Sequence, residues 1–214
     1  MKNKVLILGT GWLARDIADL LEDIPNYELG GFVVDQPPFE RGIEIFGKPI
    51  YWIDELEDLD NSYRAVCALG SMKKINIIRK VNEMGIPFIN LIHPTVQISR
   101  TVTMGEGVII SSGVHIAAFT SIGNHVFINR ASIISHEVSI GDYSFVSAGA
   151  NISCHVNIKQ SSFIGIGAII LGHLSVGEKS IVGSGSLVTR DVPDRVKVVG
   201  NPAIIIEKDI DGFF

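Results

Sequence analysis

An aliphatic side chain returns every six residues from Ile92 to Val188. A small or β-branched residue stands four positions after most of these aliphatic ones, from Val96 to Val192. A helix cannot keep such a pattern in phase, and a strand of period two would not skip residues so regularly. Short repeats of this kind are typical of parallel β-helices, in which each strand stacks on its copy one coil below. Three hexads make one triangular coil, so the sequence predicts a prism with an 18-residue repeat.

The residue after the repeating aliphatic position is usually small. Glycine occupies it at 105, 123, 141, 165, 177 and 183. The aliphatic side chain is predicted to fill the prism, and the glycine to tolerate a turn at its corner. The lattice is predicted to end at Asn201-Pro202, because proline cannot donate a hydrogen bond to a further ladder.

The first 91 residues follow a different pattern, in which strands alternate with amphipathic helices. Strands are predicted at 5–8, 28–34, 65–69 and 88–91, helices at 13–24, 53–56 and 73–84, and an exposed connection at 39–49. Ser71 is predicted to cap the last helix. Alternating strands and helices indicate a small parallel sheet. The chain is therefore predicted to have two domains, an α/β domain at 1–91 and a parallel β-helix domain with a short tail at 92–214.

Composition narrows the classes of function. With 18 basic against 23 acidic residues, the chain does not have the charge of a nucleic-acid binder. Its two cysteines form no cysteine motif, which favours a reducing compartment. The apolar run after the N-terminus is too short for a signal peptide, and no stretch reaches the length of a membrane span. A cytoplasmic protein without a membrane partner is expected.

A glycine-rich turn joins the first strand to the first helix. Gly9, Gly11 and Ala14 match the spacing of the dinucleotide fingerprint, and Asp35 ends the next strand, where it could accept from a ribose or base. Amides at that helix N-terminus favour a phosphate. The alternative is a tight turn that only solves a packing problem. Because 91 residues make only half of a doubly wound domain, a ligand smaller than a redox dinucleotide is expected.

The 18-residue repeat places distant residues in columns on one face of the prism. One column is Phe119, Glu137, His155, His173 and Asp191, and beside it run Ala118, His136, Cys154, Gly172 and Arg190. Three of the six histidines therefore share a face. His136 is the predicted general base, with the Glu137 carboxylate orienting its ring. The alternative is a surface or subunit-contact histidine.

The remaining histidines and the cysteine on this face allow other interpretations. His155 and His173 could line the site or a subunit contact. His93 precedes Pro94 at the domain junction, and His115 and His125 are expected to be structural or solvent-facing. Cys154 could act as a nucleophilic thiol, but no second activating group is evident, and a small side chain that fills a narrow position is the alternative.

Several motifs together resemble a known family. They are Ser135-His136-Glu137, Ile140-Gly141-Asp142, Ile164-Gly165-x-Gly167-Ala168, Val182-Gly183-x-Gly185-Ser186, Asp191-Val192-Pro193 and Gly200-Asn201-Pro202-Ala203. With the preceding α/β domain, they resemble the NeuD/PglD-like sugar acyltransferases over essentially the whole chain. The resemblance implies a Rossmann-like N-terminal domain that binds a nucleotide sugar, followed by a left-handed parallel β-helix of hexapeptide repeats.

The resemblance also implies an activity and a site. It implies N-acetyl transfer from acetyl-CoA to a nucleotide-linked amino sugar for a bacterial surface glycan, in a homotrimer with active sites between subunits and without a metal. His136 is then the general base and Glu137 its partner. The sugar nucleotide would contact Gly9, Gly11, Trp12, Leu13, Asp35, Gln36 and Asn129. The acetyl-CoA groove would be lined by Phe145, Cys154, His155, Ile166, Gly167 and Ser184.

The sequence departs from the family at two places. Trp12 and Leu13 stand where the family often has glycine and histidine, and Phe145 stands nine residues after the base, where a second histidine is common. The rivals that remain are O-acetyl transfer to a sugar hydroxyl, a zinc-dependent hydratase using His155 and His173, and a non-catalytic trimeric scaffold.

Overall fold

The computed structural model describes residues 3–35 and 42–213. The chain divides into two compact units, the first ending at His93 and the second beginning at Pro94. In the described part of the chain, no helix is long and apolar enough to cross a membrane.

The first unit is an α/β sheet with helices. Its elements are β1 (Asn3–Leu8), α1 (Trp12–Glu22), β2 (Tyr27–Val34), β3 (Glu44–Ile45), β4 (Lys48–Trp52), a 3₁₀ helix (Ile53–Asp58), β5 (Tyr63–Cys67) and α2 (Lys74–Glu83). The strand order is β3-β4-β2-β1-β5, and β4, β2, β1 and β5 pair in parallel. Central strand β1 is fully buried from Val5 to Leu8, as its unbroken apolar run predicts.

Three local predictions for this unit are corrected. Part of the predicted connection at 39–49 forms the antiparallel pair β3–β4. The predicted strand at 88–91 is reduced to an isolated bridge between Phe88 and Ala65, and Leu91 begins the first strand of the prism. Ser71 does not cap α2 with its side chain; its carbonyl instead accepts from the Lys74 amide at 3.2 Å.

The chain continues as a parallel β-helix built from strands of two residues. They are β6 (Leu91–Ile92), β7 (Gln97–Ile98), β8 (Thr103–Met104), β9 (Ile109–Ile110), β10 (His115–Ile116), β11 (Ser121–Ile122), β12 (Phe127–Ile128), β13 (Ile133–Ile134), β14 (Ser139–Ile140), β15 (Phe145–Val146), β16 (Asn151–Ile152), β17 (Asn157–Ile158), β18 (Phe163–Ile164), β19 (Ile169–Ile170), β20 (Ser175–Val176), β21 (Ile181–Val182) and β22 (Leu187–Val188). The first of these strands ends at Ile92, just before the unit boundary, and the others belong to the second unit. Two longer strands, β23 (Val196–Val199) and β24 (Ile204–Lys208), close the unit.

These strands form the three faces of a prism. The first face is β7-β10-β13-β16-β19-β22, the second is β8-β11-β14-β17-β20, and the third runs from β6 through β9, β12, β15, β18 and β21 to β23 and β24. Ile116 pairs with Ile134 and Ile134 with Ile152, so successive coils are 18 residues apart. The predicted coil and the left-handed β-helix class are confirmed. The aliphatic side chains point inward, and Ile134, Ile158, Ile164 and Ile170 are fully buried.

Four residues turn the chain at each corner, and the third of them has positive φ. The first corner, between the first and second faces, has Phe119, Glu137, His155 and His173 at this position; the second has His125, Tyr143, Ser161 and Lys179; the third has Ala131, Gly149, Gly167 and Gly185. The turn therefore takes its positive φ two residues after the glycines that were predicted to supply it. Those glycines allow close stacking instead, since a Cβ on Gly141 would lie 2.4 Å from the Gln160 amide nitrogen.

The repeat changes at the last coil. Val192 forms a bridge with Val176 and Lys197 pairs with Ile181, so the spacing shortens to 16 residues. Asp191 therefore does not continue the predicted column above His173; its carboxylate accepts from the Ser175 amide at 2.8 Å. Beyond Pro202 the chain reverses, and β24 pairs antiparallel with β23.

Candidate active site and nucleotide cavity

The first corner of the prism carries the predicted catalytic residues. Glu137, His155 and His173 occupy the positive-φ position in three successive coils, with φ of 57°, 56° and 63°. Their amides hydrogen-bond to carbonyls one coil below: Glu137 to Ala118 at 2.9 Å, His155 to His136 at 3.2 Å and His173 to Cys154 at 3.0 Å. This backbone ladder holds the turns in line and brings the side chains together although they span 36 positions.

The Glu137 carboxylate contacts two imidazoles. Its Oε2 lies 3.0 Å from His136 Nδ1 and 3.3 Å from His155 Nε2. The side chains of His136 and Glu137 are 51% and 47% exposed, so a ligand can reach them from solvent. With Nδ1 donating to the carboxylate, His136 Nε2 carries the lone pair, which is the tautomer that a general base requires.

The histidine column continues above this pair. The His155 and His173 rings stack with centroids 4.5 Å apart and an angle of 19° between their planes, and His155 meets His136 edge-on at 5.4 Å. Among the described residues, two groups bring their donor atoms within 4.8 Å of one another, as a metal site requires: Cys154 with His155 and His173, and His136 with Glu137 and His155.

Other predicted site residues lie at the third corner. Asn129 follows β12, its side-chain oxygen accepts from the Arg130 amide at 2.7 Å, and the residue is half-buried. Ile166 and Ser184 are exposed there, one coil apart, and Gly167 has φ of 64°. Within one chain the first face separates this corner from His136. The structure therefore does not bring these residues together with the catalytic pair in one subunit.

Phe145 belongs to a buried aromatic ladder on the third face. Its ring stacks on Phe127 at 4.7 Å and on Phe163 at 5.4 Å, and Phe213 from the C-terminal tail covers the ladder. Phe145 is only 4% exposed and has a packing role in this chain. Its assignment to an acetyl-CoA groove stays a prediction.

The first unit has a cavity of about 500 Å³ at the carboxyl ends of its central parallel strands. It is lined by Gly9, Thr10 and Gly11 after β1, by Val33, Val34 and Asp35 from β2, and by Leu69, Ser71, Lys73, Asn76 and Ile77 after β5. Ligands of open parallel sheets bind at this edge. The structure thus brings the predicted Gly9, Gly11 and Asp35 together, while Gln36 lies outside the described residues.

The two residues that replace the family's glycine and histidine differ in their exposure to solvent. Leu13 is 4% exposed and packs in the core, whereas Trp12 is 68% exposed at the start of α1. A substrate contact through the Leu13 side chain is therefore not available at the surface of this chain.

The sequence analysis did not identify Ser71, Lys73 and Asn76 as residues of the cavity. Lys73 immediately precedes α2 and is exposed, so its ammonium group supplies a positive charge at the cavity. The sequence contained a signal for them, because residues after the strand at 65–69 meet the glycine turn at the same edge of a parallel sheet.

Comparisons with known proteins agree with this geometry. Residues 4–81 match the family described as the PglD N-terminal domain. A variant of perosamine N-acetyltransferase from Caulobacter crescentus, solved with CoA and GDP-perosamine, superimposes with a TM-score of 0.87 at 27% identity, over 96% of this chain and 97% of that one. The chain is an acyltransferase similar to the NeuD/PglD-like enzymes.

Two further solved structures share the fold of this acyltransferase. They are the acetyltransferase domain of PglB from Neisseria gonorrhoeae FA1090 with acetyl coenzyme A (TM-score 0.87, 24% identity, 96% of this chain and 100% of that one) and WeeI from Acinetobacter baumannii AYE (0.86, 24%, 94% and 99%). A comparison with curated proteins found no match.

The first unit also contains a buried amine and a half-buried thiol near its cavity. Lys74 is 3% exposed, and burial lowers the pKa of its ammonium group to about 8. Burial likewise raises the pKa of the Cys67 thiol to about 11. In both groups burial shifts the equilibrium toward the neutral form relative to the unfolded chain.

Proposed function

We propose that this acyltransferase uses acetyl-CoA to acetylate the amino group of a nucleotide-linked amino sugar, with His136 as general base. The observation that carries the proposal is the contact of 3.0 Å between His136 Nδ1 and Glu137 Oε2 on an exposed corner. It leaves Nε2 able to take a proton from the attacking amine. The perosamine N-acetyltransferase solved with CoA and GDP-perosamine supports this substrate class.

The proposed reaction is direct transfer. The amine nitrogen attacks the thioester carbonyl of acetyl-CoA while His136 Nε2 takes the amine proton. The tetrahedral intermediate then expels CoA as a thiolate, which takes the proton from the His136 imidazolium and so restores the neutral base. A backbone amide near Cys154 is proposed to stabilise the oxyanion, an effect of about 3–4 kcal/mol at other acyl-transfer sites.

The nucleotide moiety is proposed to bind in the cavity of the first unit. The glycine turn leads into the N-terminus of α1, whose free amides attract a phosphate, and Lys73 adds a cation. Asp35, which lines the cavity, is proposed to accept a hydrogen bond from a ribose or base. Trp12 and Asn129 remain proposed contacts of the same substrate.

A homotrimer is proposed because five of the six predicted acetyl-CoA residues are divided between two corners. Cys154 and His155 lie at the first corner, whereas Ile166, Gly167 and Ser184 lie at the third. A second copy that sets its third corner against the first corner would complete one groove. Exposed Ile133 and Ile169 on the first face, 48% and 43% exposed, supply apolar surface for such a contact.

The test is incubation with acetyl-CoA and a panel of nucleotide-linked amino sugars, with the acetylated product identified by mass spectrometry. Each amino sugar is paired with the analogue that has a hydroxyl in place of the amine. Product from the amine alone supports N-acetylation. Product from the hydroxyl analogue favours the O-acetyl alternative, and no turnover with any member rejects the proposal.

A further inference from the structure

Three nitrogen and sulfur donors converge just above the catalytic pair. Cys154, His155 and His173 place one ligand atom each within 4.8 Å of the others. They do so because His173 lies one coil above His155, with its amide bonded to the Cys154 carbonyl at 3.0 Å. The proposed mechanism uses no side-chain atom of Cys154 or His173.

The geometry is close to that of a tetrahedral metal centre. Zinc binds nitrogen at about 2.0–2.1 Å and thiolate sulfur at about 2.3 Å, so its ligand atoms lie roughly 3.5 Å apart. Donors within 4.8 Å can reach this spacing by small side-chain movements. Such movements are open to His155 and His173 because both are exposed.

The donor types select the class of ion. One thiolate and two imidazoles suit zinc and neighbouring transition metals, whereas magnesium and calcium prefer oxygen ligands. Binding would release the Cys154 thiol proton to solvent, because the thiolate is the ligand. Three protein ligands leave a fourth position for water.

We propose that Cys154, His155 and His173 bind a zinc-type divalent ion and that this ion and acetyl-CoA exclude each other. The exclusion rests on the proposed function, in which Cys154 and His155 line the acetyl-CoA groove. His155 Nε2 also lies 3.3 Å from Glu137 Oε2, so the ion sits beside the catalytic carboxylate. The ion therefore inhibits transfer, in contrast to a zinc hydratase, which would need it.

Binding is tested with cobalt(II) on the full chain, without any sugar substrate. The protein is first treated with a chelator, exchanged into metal-free buffer and kept reduced with a phosphine. Thiolate-to-cobalt charge-transfer absorption should saturate at one ion per chain. His173→Phe preserves a ring for the stack with His155 but removes a ligand, and should weaken binding at least about tenfold. The exposed His115→Phe is the matched control and should bind like the native chain.

Exclusion is tested by repeating the cobalt titration with acetyl-CoA, whose thioester has no free thiol to chelate the ion. Acetyl-CoA should raise the cobalt concentration needed for half-saturation. Zinc should inhibit the native enzyme competitively with acetyl-CoA and inhibit His173→Phe at least about tenfold more weakly, with product quantified by chromatography.

Three outcomes overturn the inference: no charge-transfer band, equal binding by His173→Phe, or a titration that acetyl-CoA does not change. The cobalt band is independent of turnover. Failure of the proposed acetyl transfer would therefore leave the metal-binding result interpretable on its own.

Discussion

His136 Nδ1 lies 3.0 Å from Glu137 Oε2 although the two residues are neighbours in sequence. Successive side chains of an extended strand point to opposite sides. Here the chain turns a corner, and Glu137 has φ of 57°. The turn lets adjacent residues act as a hydrogen-bonded pair, and the pair fixes which imidazole nitrogen is available to a substrate.

Replacement of His136 tests the base. His136→Ala is expected to lower kcat by about 10²-fold or more, because general-base assistance contributes about 10²–10⁴-fold. The KM for acetyl-CoA should stay nearly unchanged. Asn157→Ala removes an exposed polar side chain from the second face and should retain native turnover. Near-normal turnover by His136→Ala would show that another group takes the proton.

Replacement of Glu137 tests the orienting role. Glu137→Gln keeps the size of the side chain but removes the charge that contacts both His136 and His155. The variant is expected to lose part of the general-base assistance by His136. Its kcat should fall about tenfold or more, which is a smaller effect than that of His136→Ala. The two variants and their combination form a cycle in steady-state kinetics. Additive losses would contradict the paired action of the two residues.

The sequence predicted the prism and its columns well because the repeat is set by local sterics. Each coil is in contact with the next, so a spacing of 18 residues translates directly into stacking, as for Glu137 and His155. Prediction from the sequence failed where contacts depend on segments that lie outside the repeat. The 18-residue repeat contains the stacking of Phe145 on Phe127 and Phe163, but not the cover that Phe213 adds from near the far end of the chain. The shift at Asp191 follows from a coil shortened to 16 residues. No repeat pattern contains either relationship.

Lys73 is predicted to bind the charged part of the nucleotide sugar. Because hydrogen bonds to charged groups contribute about 1.5–3 kcal/mol, Lys73→Ala should raise the KM for the nucleotide sugar about tenfold or more. The KM for acetyl-CoA should not change. Lys80→Ala, in the last turn of the same helix, removes an equal charge away from the cavity lining and serves as control. An equal rise in the KM for the nucleotide sugar in both variants would indicate a general effect of lost positive charge.

The tail residue Phe213 is predicted to stabilise the prism. It is 1% exposed and lies 5.2 Å from Phe163 between ring centroids. Phe213→Ala should lower the free energy of unfolding of the second unit by about 3 kcal/mol or more, as for other buried phenylalanines. Ile204→Ala, which truncates a 64% exposed side chain on β24, is the control. Denaturant unfolding followed by circular dichroism provides the measurement, and equal stability of the two variants would contradict the packing role.

The buried Lys74 is predicted to make the stability of the first unit depend on pH. Burial lowers its pKa from 10.5 to about 8. Above about pH 8 the folded state therefore loses this proton while the unfolded state keeps it, so the stability should rise with pH, by at most about 1.4 kcal/mol per unit. The Cys67 thiol, with its pKa raised from 9.0 to about 11, has the opposite effect above about pH 9. The rise should therefore be clearest between about pH 7.5 and 9.

Tryptophan fluorescence can isolate this effect, because Trp12 and Trp52 are the two tryptophans of the chain and both lie in the first unit. Urea unfolding of the native chain should show the midpoint rising over this pH interval. Lys74→Met keeps an unbranched side chain and has no titrating amine, so its midpoint should be higher near pH 7 and nearly flat with pH. Exposed Lys80→Met should follow the native curve. A Lys74→Met variant that keeps the native pH dependence would show that another group titrates, since the amine proposed to cause it would be gone.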